Sequence, residues 1–338
     1  MDVLATLPEH LVTPSDALVA FMDQLEGDLL ILGVGGKMGV SLAETARRAW
    51  GRSDRRHRVI GVSRFGAGDA RSRLEAAGVE TVAADLLDPA AVAALPEAAN
   101  VIYMAGRKFG TRGQEHLTWA MNVHVPALVA QRFRGARIVA FSTGNVYPLT
   151  PVAQGGATEQ TPTGPVGEYG QSCLGRERIF EHFSRTLGVR VALLRLNYAI
   201  DLRYGILVEV AQAVREGRPI DLGMGHVNVI WQGDANEVAI RSLQWANSPP
   251  EVMNVTGPET VSIRWLAERF GELFGQQPRF TGTEGERAFL SNASLAHQRF
   301  GYPRVPLRQM ILWTAQWLQA GGPVLDLPTH FQEREGNY

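Results

Sequence analysis

The sequence predicts an α/β protein built on a doubly wound parallel sheet, and three observations favour this fold class. Short apolar runs alternate with segments of helical periodicity between residues 28 and 197. Most of these runs are apolar at successive positions, which is typical of strands that are covered on both faces. The first run, residues 29–32, leads into a glycine-rich turn and then into a helical segment at residues 40–50.

The glycine-rich turn predicts a binding site for a dinucleotide, as in Rossmann-type folds. Gly33, Gly36 and Gly39 form a GxxGxxG pattern, and Lys37 and Met38 lie within the same turn. In such a turn the first glycine permits the tight bend, the second lets a pyrophosphate approach the backbone, and the third lets the helix pack on the strand. The N–H groups at the start of the helix then face the phosphate. The alternative is a tight turn without a ligand.

The remaining elements follow from the same alternation of patterns. The predicted strands are residues 58–64, 80–85, 100–106, 137–142 and 190–196. The predicted helices are residues 70–77, 89–95, 114–133 and 166–187. After residue 197 the rhythm changes, with helices predicted at 206–216, 262–274 and 307–320 and strands at 227–231 and 252–255. This change predicts a smaller C-terminal α/β lobe.

We therefore divide the chain into four segments. Residues 1–27 are predicted to form a helical arm, with a helix at 17–25 that packs on the core or on a second subunit. Residues 28–197 form the Rossmann domain, and residues 198–320 form a substrate-binding lobe that is mixed with it. Residues 321–338 begin with Gly and Pro and continue with polar residues, which predicts a tail.

The composition is that of a globular protein and excludes several classes of function. The 338 residues carry a formal net charge of −1, so no overall positive field attracts the chain to nucleic acid or to a membrane surface. No apolar run approaches the roughly 18 residues that a membrane span needs. The single cysteine, Cys173, excludes an intramolecular disulfide, and no metal site is predicted because the histidines lack the spacing of ligands. Since the N-terminus has no signal-peptide pattern, we expect a cytoplasmic protein.

The end of the second predicted strand indicates which dinucleotide is bound. Folds of this type that prefer NAD often place an acidic residue there, for the ribose 2′-hydroxyl. Here the positions hold Ser63 and Arg64, and arginine binds phosphate in a bidentate way. The sequence therefore favours NADP(H) over NAD(H). The alternative is that Arg64 is only a solvated loop residue.

Two further stretches make the prediction more specific. Residues 141–147 (FSTGNVY) end the fifth predicted strand, and residues 169–177 (YGQSCLGRE) open the helix that follows. Together with the upstream GxxGxxG, they resemble the extended short-chain dehydrogenase/reductases, the NAD-dependent epimerase/dehydratase family. The resemblance covers nearly the whole chain. It implies an NAD(P)-dependent oxidoreductase or epimerase that acts on a sugar-like alcohol or ketone and forms a homodimer.

The same resemblance implies roles at the reacting end of the site. Thr143 and Tyr169 would flank the reacting carbonyl or carbinol, and Asn122 would be the asparagine of the central helix. Tyr169 would exchange the proton while Thr143 polarises the oxygen. Asn197 and Tyr198, directly after the sixth strand, would contact substrate hydroxyls, and Arg203 and Tyr204 are weaker candidates. The alternative for Asn197 and Tyr198 is a loop that only joins the lobes.

On the cofactor side the resemblance implies contacts from two further places. Asp85 and Leu86, after the third strand, would lie near the adenine. Ala105 and Gly106 end the fourth strand, and its loop faces the cofactor in this fold. Tyr169 and position 173 would lie beside the nicotinamide ribose.

Position 173 departs from the family pattern. The family has a lysine four residues after the tyrosine, and its positive charge brings the pKa of the phenol towards neutral pH. Cys173 carries no such charge. Three alternatives follow. In the first, another residue supplies the cation, and Lys108 in the loop after the fourth strand is a better candidate for this than Arg176. Otherwise Tyr169 acts only as a hydrogen-bond or proton donor, or redox turnover is lost.

Two other classes of function remain open on the sequence alone. The first is a non-catalytic dinucleotide-binding protein that acts as a sensor or scaffold, and its motivating feature is Cys173. The second is a non-redox isomerase or lyase that uses the same tyrosine.

Overall fold

The computed structural model describes residues 3–53, 55, 57–66, 68–110, 112–325 and 327–336. The ends of the predicted arm and tail, residues 1, 2, 337 and 338, and residue 326 within the tail lie outside the described residues.

A seven-stranded sheet forms the centre of the molecule. Its strands are β1 (Leu29–Leu32), β2 (Val59–Ser63), β3 (Glu80–Ala83), β4 (Asn100–Tyr103), β5 (Arg137–Thr143), β6 (Arg190–Leu196) and β7 (Glu251–Val255). They lie in the order β7-β6-β5-β4-β1-β2-β3, and all neighbouring pairs are parallel. The predicted doubly wound parallel sheet is confirmed. The order reverses between β1 and β4, and open parallel sheets bind ligands outside the carboxyl ends of the strands at such a point.

The helices of the described chain surround this sheet and build the smaller lobe. They are α1 (Val3–Thr6), α2 (Asp16–Gln24), α3 (Gly39–Gly51), α4 (Ala70–Ala76), α5 (Pro89–Ala93), α6 (Glu115–Trp119), α7 (Val125–Arg132), α8 (Gly167–Leu187), α9 (Ile206–Arg215), α10 (Gln232–Arg241), α11 (Ile263–Phe274), α12 (Ser294–Phe300) and α13 (Leu307–Gln319). Short 3₁₀ turns lie at Leu7–Leu11, Gly144–Val146, Val152–Gln154 and Ser242–Trp245.

The apolar strands serve two separate cores, one on each face of the sheet. Leu29 and Ile31 of β1 belong to the core under α2, α3 and α10. Leu30 and Leu32 belong to the core under α5, α7 and α8. Because successive side chains of a strand point to opposite faces, burial on both faces requires the unbroken apolar runs seen in the sequence.

The helix predicted at residues 114–133 is interrupted, which the sequence pattern did not reveal. α6 ends at Trp119, a π-helical turn covers Ala120–His124, and α7 begins at Val125. Asn122 lies in this turn and is fully buried. Single π-helical turns inside helices are frequent at functional sites.

The smaller lobe packs around a third core. α9, α11 and α13 contribute Leu207, Leu266 and Ile311 to this core. Short paired strands complete the described part of the chain: Ala199–Ile200 with Ile230–Trp231, Pro219–Asp221 with Arg279–Thr281, His226–Val227 with Val261–Ser262, and Thr150–Pro151 with Arg287–Ala288. The strand predicted at residues 252–255 does not belong to this lobe, because as β7 it pairs with β6 of the central sheet.

The N-terminal arm packs on the core. The hydroxyl of Ser15 accepts a hydrogen bond from the Leu18 N–H (3.0 Å) and caps α2. The indole of Trp50 on α3 donates to the Met22 carbonyl on α2 (3.1 Å), so the two helices are joined.

The segment predicted to be a tail is folded against the molecule as far as residue 336. Phe331 is 1% exposed and belongs to the core of the smaller lobe. The backbone N–H and the hydroxyl of Thr329 both donate to Glu209 on α9 (3.0 and 2.5 Å). Gly336 packs against Gly167 at the start of α8. A Cβ added to Gly167 would lie 2.5 Å from the Gly336 carbonyl oxygen. The segment therefore reaches the helix that carries Tyr169.

Among the described helices, none combines the length and the apolar character that crossing a membrane would require. Within the same residues, no three His, Cys, Asp or Glu side chains are grouped so that they could hold a metal ion.

Candidate active site

The glycine turn after β1 leaves an open approach at one of its three glycines. Gly33 has a φ of +90°, and a Cβ there would lie 2.6 Å from the Ala105 nitrogen. A Cβ at Gly39 would lie 2.3 Å from the Val34 carbonyl oxygen. At Gly36 an added Cβ would meet only the Gly33 carbonyl oxygen, at 3.3 Å. The protein itself thus fills the space beside Gly33 and Gly39, whereas the backbone at Gly36 stays accessible, as the approach of a pyrophosphate requires.

The other predicted cofactor residues lie at the neighbouring strand ends. Ser63 ends β2 beside the glycine turn, since a Cβ on Gly35 would lie 2.6 Å from its hydroxyl oxygen. Arg64, the next residue, is exposed. Asp85 is exposed, and its carboxylate accepts a hydrogen bond from the Leu87 N–H (3.0 Å), whereas the Leu86 side chain is buried in the core. These groups line the edge of the sheet around β1, β2 and β3, where a dinucleotide of this fold type extends.

A cavity of about 270 Å³ lies beyond the carboxyl ends of β5 and β6. It brings together most of the residues predicted for the reaction and the substrate, with several that were not predicted. The lining consists of Lys37, Met38, Lys108, Phe109, Ser142, Thr143, Asn145, Tyr169, Leu196, Asn197, Tyr198, Ala199, Ile200, Tyr204, Gly205, Ile206 and Thr329.

Thr143 and Tyr169 meet in this cavity. Thr143 is the last residue of β5, and its hydroxyl donates to the Asn145 side-chain carbonyl (2.9 Å) and accepts from the Asn145 N–H (3.2 Å). Tyr169 lies in the first turn of α8, and its phenol is hydrogen-bonded to Thr143 and Cys173. Burial raises the pKa of Tyr169 well above its ordinary value of 10, and the positive charge of Arg176 opposes this shift. The phenol is therefore protonated at neutral pH.

Both lysines of the chain line the same cavity. The Lys108 ammonium nitrogen lies 5.8 Å from the centre of the Tyr169 ring, and burial lowers the pKa of Lys108 to about 8. The Lys37 ammonium nitrogen lies 3.1 Å from the centre of the Tyr204 ring, a cation–π contact between the glycine turn and the smaller lobe. Desolvation lowers the pKa of Lys37 to about 7, while the negative charge of Asp201 acts in the opposite direction.

The structure does not bring Cys173 to the surface of the cavity. Cys173 is 0% exposed and packs with Val146, Tyr147 and Ala157. Burial raises the pKa of the thiol, although the nearby Arg176 and the hydrogen bond with Tyr169 act in the opposite direction. A buried, protonated thiol acts here as a small apolar side chain.

Asn122 holds the loop that follows β4. Its side-chain carbonyl accepts from the Arg107 N–H (2.8 Å), and its amide nitrogen donates to the Arg107 carbonyl (2.9 Å). Ala105 and Gly106 directly precede this contact, and Lys108 follows it. Asn122 therefore does not line the cavity and acts on the loop instead.

Asn197 and Tyr198 lie on the cavity wall, as predicted for substrate residues. The Asn197 amide donates to the Phe289 carbonyl (3.1 Å), which ties the end of β6 to the smaller lobe. Tyr198 has a φ of +44°, in the left-handed region that few non-glycine residues adopt. The smaller lobe also supplies Tyr204, one of the two weaker substrate candidates of the sequence, and Thr329, which was not predicted and which no local pattern marks.

A buried ion pair fixes the strand that carries Thr143. Arg195 on β6 binds both carboxylate oxygens of Glu177 on α8 (3.0 and 2.7 Å). The same carboxylate accepts from the Ser142 hydroxyl (2.5 Å), and Arg195 also donates to the Tyr147 hydroxyl (2.7 Å). The pair therefore joins β5, β6 and α8 directly behind the cavity. Glu177 is the last residue of the stretch 169–177, but its pairing with Arg195 was not predicted.

Comparisons with known proteins agree with this fold. Residues 29–200 match the model of the NAD dependent epimerase/dehydratase family. No curated protein sequence matches the chain.

Solved structures are similar over most of the chain. MoeE5 in complex with UDP-glucose and NAD is 18% identical, with 87% of this chain and 99% of that chain covered and a TM-score of 0.70. UDP-glucose 4-epimerase with UDP-glucose from Thermotoga maritima is 15% identical, with 87% and 99% covered and a TM-score of 0.71. DesIV, a dTDP-glucose 4,6-dehydratase from Streptomyces venezuelae with NAD and TYD bound, is 18% identical, with 86% and 97% covered and a TM-score of 0.71. At these identities the likeness concerns the fold. Together with the family match, it leads to one conclusion: the chain belongs to the NAD dependent epimerase/dehydratase family.

Proposed function

We propose that the chain is an NAD(P)-dependent oxidoreductase or epimerase that acts on a carbohydrate-like alcohol or ketone. The observation that carries this proposal is the meeting of Thr143, Tyr169 and Lys108 in one cavity beside the accessible glycine turn. The similarity to structures that contain UDP-glucose supports a sugar-like substrate. That similarity is to the fold, so it does not select one sugar.

The dinucleotide would be held by residues on the open side of the glycine turn. Gly36 and the N–H groups at the start of α3 suit the pyrophosphate, and Asp85 lies where the adenine side is expected. When bound, the nicotinamide supplies a hydride acceptor or donor. For the 2′-phosphate of the adenine ribose we propose Ser63 at the end of β2 and the exposed guanidinium of Arg64 that follows it. This pair favours NADP(H).

The chain's own residues divide the proton chemistry between them. Tyr169, which keeps its proton at neutral pH, donates to a substrate carbonyl oxygen and takes the proton back in the reverse direction. The Thr143 hydroxyl orients that oxygen. Two cations lie near the phenolate that forms: Lys108, whose ammonium nitrogen is 5.8 Å from the centre of the ring, and Arg176, whose charge opposes the rise in the pKa of Tyr169. Asn197 and Tyr198 offer polar contacts to the neighbouring hydroxyls of the substrate.

The first experiment is a titration of the purified protein with NADP, NADPH, NAD and NADH, followed by calorimetry. We expect binding of the NADP pair to be tighter than binding of the NAD pair. If none of the four binds, the glycine turn is only structural and the enzyme proposal falls with it.

The second experiment tests the proton donor. Tyr169→Phe should lower turnover by at least about 100-fold, because general acid catalysis contributes factors of that size, while dinucleotide affinity stays unchanged. Turnover equal to that of the wild type would remove Tyr169 from the mechanism.

The alternative function is a non-catalytic dinucleotide-binding protein, and it is favoured by Cys173, a protonated thiol without charge at the position next to Tyr169. Dinucleotide binding without turnover on any sugar substrate would favour it. A non-redox isomerase or lyase on the same site would turn over without a change in nicotinamide absorbance. The homodimer, the cytoplasmic location and the segment boundaries stay predictions.

A further inference from the structure

A buried guanidinium lies behind the cavity. Arg176 is 6% exposed, and its two terminal nitrogens donate to the Phe141 carbonyl (2.7 Å) and to the Asn122 side-chain carbonyl (2.7 Å). The two acceptors are neutral carbonyl oxygens, not carboxylates. Buried charges are normally paired with an opposite charge, since removal from water is costly.

The Asn122 amide uses all of its hydrogen-bonding capacity between three elements. Its carbonyl oxygen accepts from Arg176 and from the Arg107 N–H, and its nitrogen donates to the Arg107 carbonyl and to the Ser172 hydroxyl (2.9 Å). The Ser172 hydroxyl in turn donates to the Tyr169 carbonyl (2.9 Å). One amide on the π-helical turn therefore connects the loop after β4 with the first turn of α8.

The loop rests directly on this pair. A Cβ on Gly106 would lie 2.5 Å from a terminal nitrogen of Arg176 and 3.0 Å from the Asn122 side-chain oxygen. The next residue, Arg107, is bonded to Asn122 through both its backbone groups. Lys108 follows, with its ammonium nitrogen 5.8 Å from the centre of the Tyr169 ring. Both backbone groups of Arg107 are hydrogen-bonded, and this fixes the point of the loop from which Lys108 extends.

We propose that Arg176 and Asn122 form a clamp that positions Lys108 against Tyr169, so that a loop lysine supplies the charge that Cys173 cannot. Both act as positioning residues, because neither lines the cavity, and Arg176 in addition brings its own charge near Tyr169. The proposal rests on the proposed function only for the use of the charge. The clamp concerns only where Lys108 is held, so it can be tested without measuring turnover.

The test uses the fact that Lys37 and Lys108 are the only lysines of the chain. Brief acetylation with acetic anhydride over a range of pH, read by mass spectrometry of the two peptides, gives the titration midpoint of each lysine. In the wild type we expect midpoints near the pKa of about 8 for Lys108 and about 7 for Lys37. In Arg176→Met and in Asn122→Ala, the Lys108 midpoint should move towards the ordinary value of 10.5 as the loop gains access to water. The Lys37 midpoint should change less, because Lys108 is only one of several groups that act on it.

Two variants separate the clamp from a simple effect of charge. Arg176→Lys keeps the charge but loses the two-pronged donor, so it should shift the Lys108 midpoint in the same direction as Arg176→Met. Arg178→Met removes an exposed arginine that pairs with Glu181 on the same helix, and it should leave both midpoints unchanged. A wild-type Lys108 midpoint in folded Arg176→Met and Asn122→Ala would overturn the proposal.

If Arg176→Met does not fold, as judged by circular dichroism, Gly106→Ala takes its place. Its added Cβ pushes the loop away from the guanidinium without removing any side chain. A shifted Lys108 midpoint in that variant supports the clamp, and an unchanged midpoint contradicts it. The separate test by Tyr169→Phe turnover shows whether the proposed function fails while the clamp stands.

Discussion

The ammonium nitrogen of Lys108 lies 5.8 Å from the centre of the Tyr169 ring, although the two residues are distant in sequence. This contact joins the loop after β4 to the first turn of α8. It gives Tyr169 a neighbouring cation from a different element than the helix on which the family pattern places it. The positive charge in this cavity therefore depends on the position of the loop after β4 as well as on the residues of α8.

The glycines of the turn should separate binding from folding. Gly39→Ala places a Cβ 2.3 Å from the Val34 carbonyl oxygen, so we expect a loss of about 2 kcal/mol or more in the free energy of unfolding. Gly36→Ala meets only one atom, at 3.3 Å, and should fold with nearly wild-type stability but bind dinucleotide more weakly. Urea denaturation and calorimetry measure the two effects. Equal dinucleotide affinity in Gly36→Ala and wild type would contradict the assignment of the turn.

The cofactor preference should depend on Arg64. Arg64→Gln removes the charge at the end of β2, and a charge-assisted hydrogen bond contributes about 1.5–3 kcal/mol. We expect NADP affinity to fall by about ten-fold or more while NAD affinity stays constant, which provides the internal control. If both affinities fall together, the residue has a general role in the site, and if neither changes it is a solvated loop residue.

Substitution at position 173 should destabilise the fold. Cys173→Lys puts a longer, charged side chain among Val146, Tyr147 and Ala157, close to the charge of Arg176, and an uncompensated buried charge costs about 3 kcal/mol or more. Cys173→Ala, the matched control for loss of the thiol, should cost clearly less. Chemical denaturation compares the two variants. A stable Cys173→Lys protein with raised activity would instead indicate a site that has lost its ancestral cation.

The titration of Lys108 should contribute stability that rises with pH above about 8. The pKa of Lys108 is lowered to about 8 in the folded state and is 10.5 when unperturbed, so between these values the unfolded chain binds more protons than the folded one. The free energy of unfolding then increases with pH in this window. The lowered pKa of Lys37 acts in the same direction from about pH 7, and the raised pKa values of Cys173 and Tyr169 act in the opposite direction above about pH 9 and pH 10. Urea denaturation of wild type and Lys108→Met between pH 8 and 10 should show a steeper rise in the wild type.

The parts of the fold that the sequence predicted are those with a local signature. The apolar run of β1 indicates burial on both faces, and Gly33 and Gly39 indicate a tight turn. Each of these patterns lies within a few residues. The π-helical turn at Asn122 was not predicted, because the contacts made from it are to Arg107 and Arg176, and no local pattern reveals partners in other elements.

The site was predictable to a similar extent. Tyr169 and Thr143 could be placed by resemblance, because they occur in recognisable stretches at strand and helix ends. Thr329 could not, since its place on the cavity wall depends on Glu209, a partner far away in sequence and on another helix. The order of β7 beside β6 was missed for the same reason, because strand neighbours are chosen by the whole sheet.

The folded C-terminal segment has a consequence for how the protein is made. The glycine turn, β1 to β6 and Tyr169 are all synthesised before residue 200, whereas Thr329 and Gly336 leave the ribosome much later. A nascent chain therefore completes its dinucleotide turn while the cavity still lacks part of its wall. The cavity wall can close only after Thr329 has been added, so its formation depends on a segment that is made well after β1 to β6.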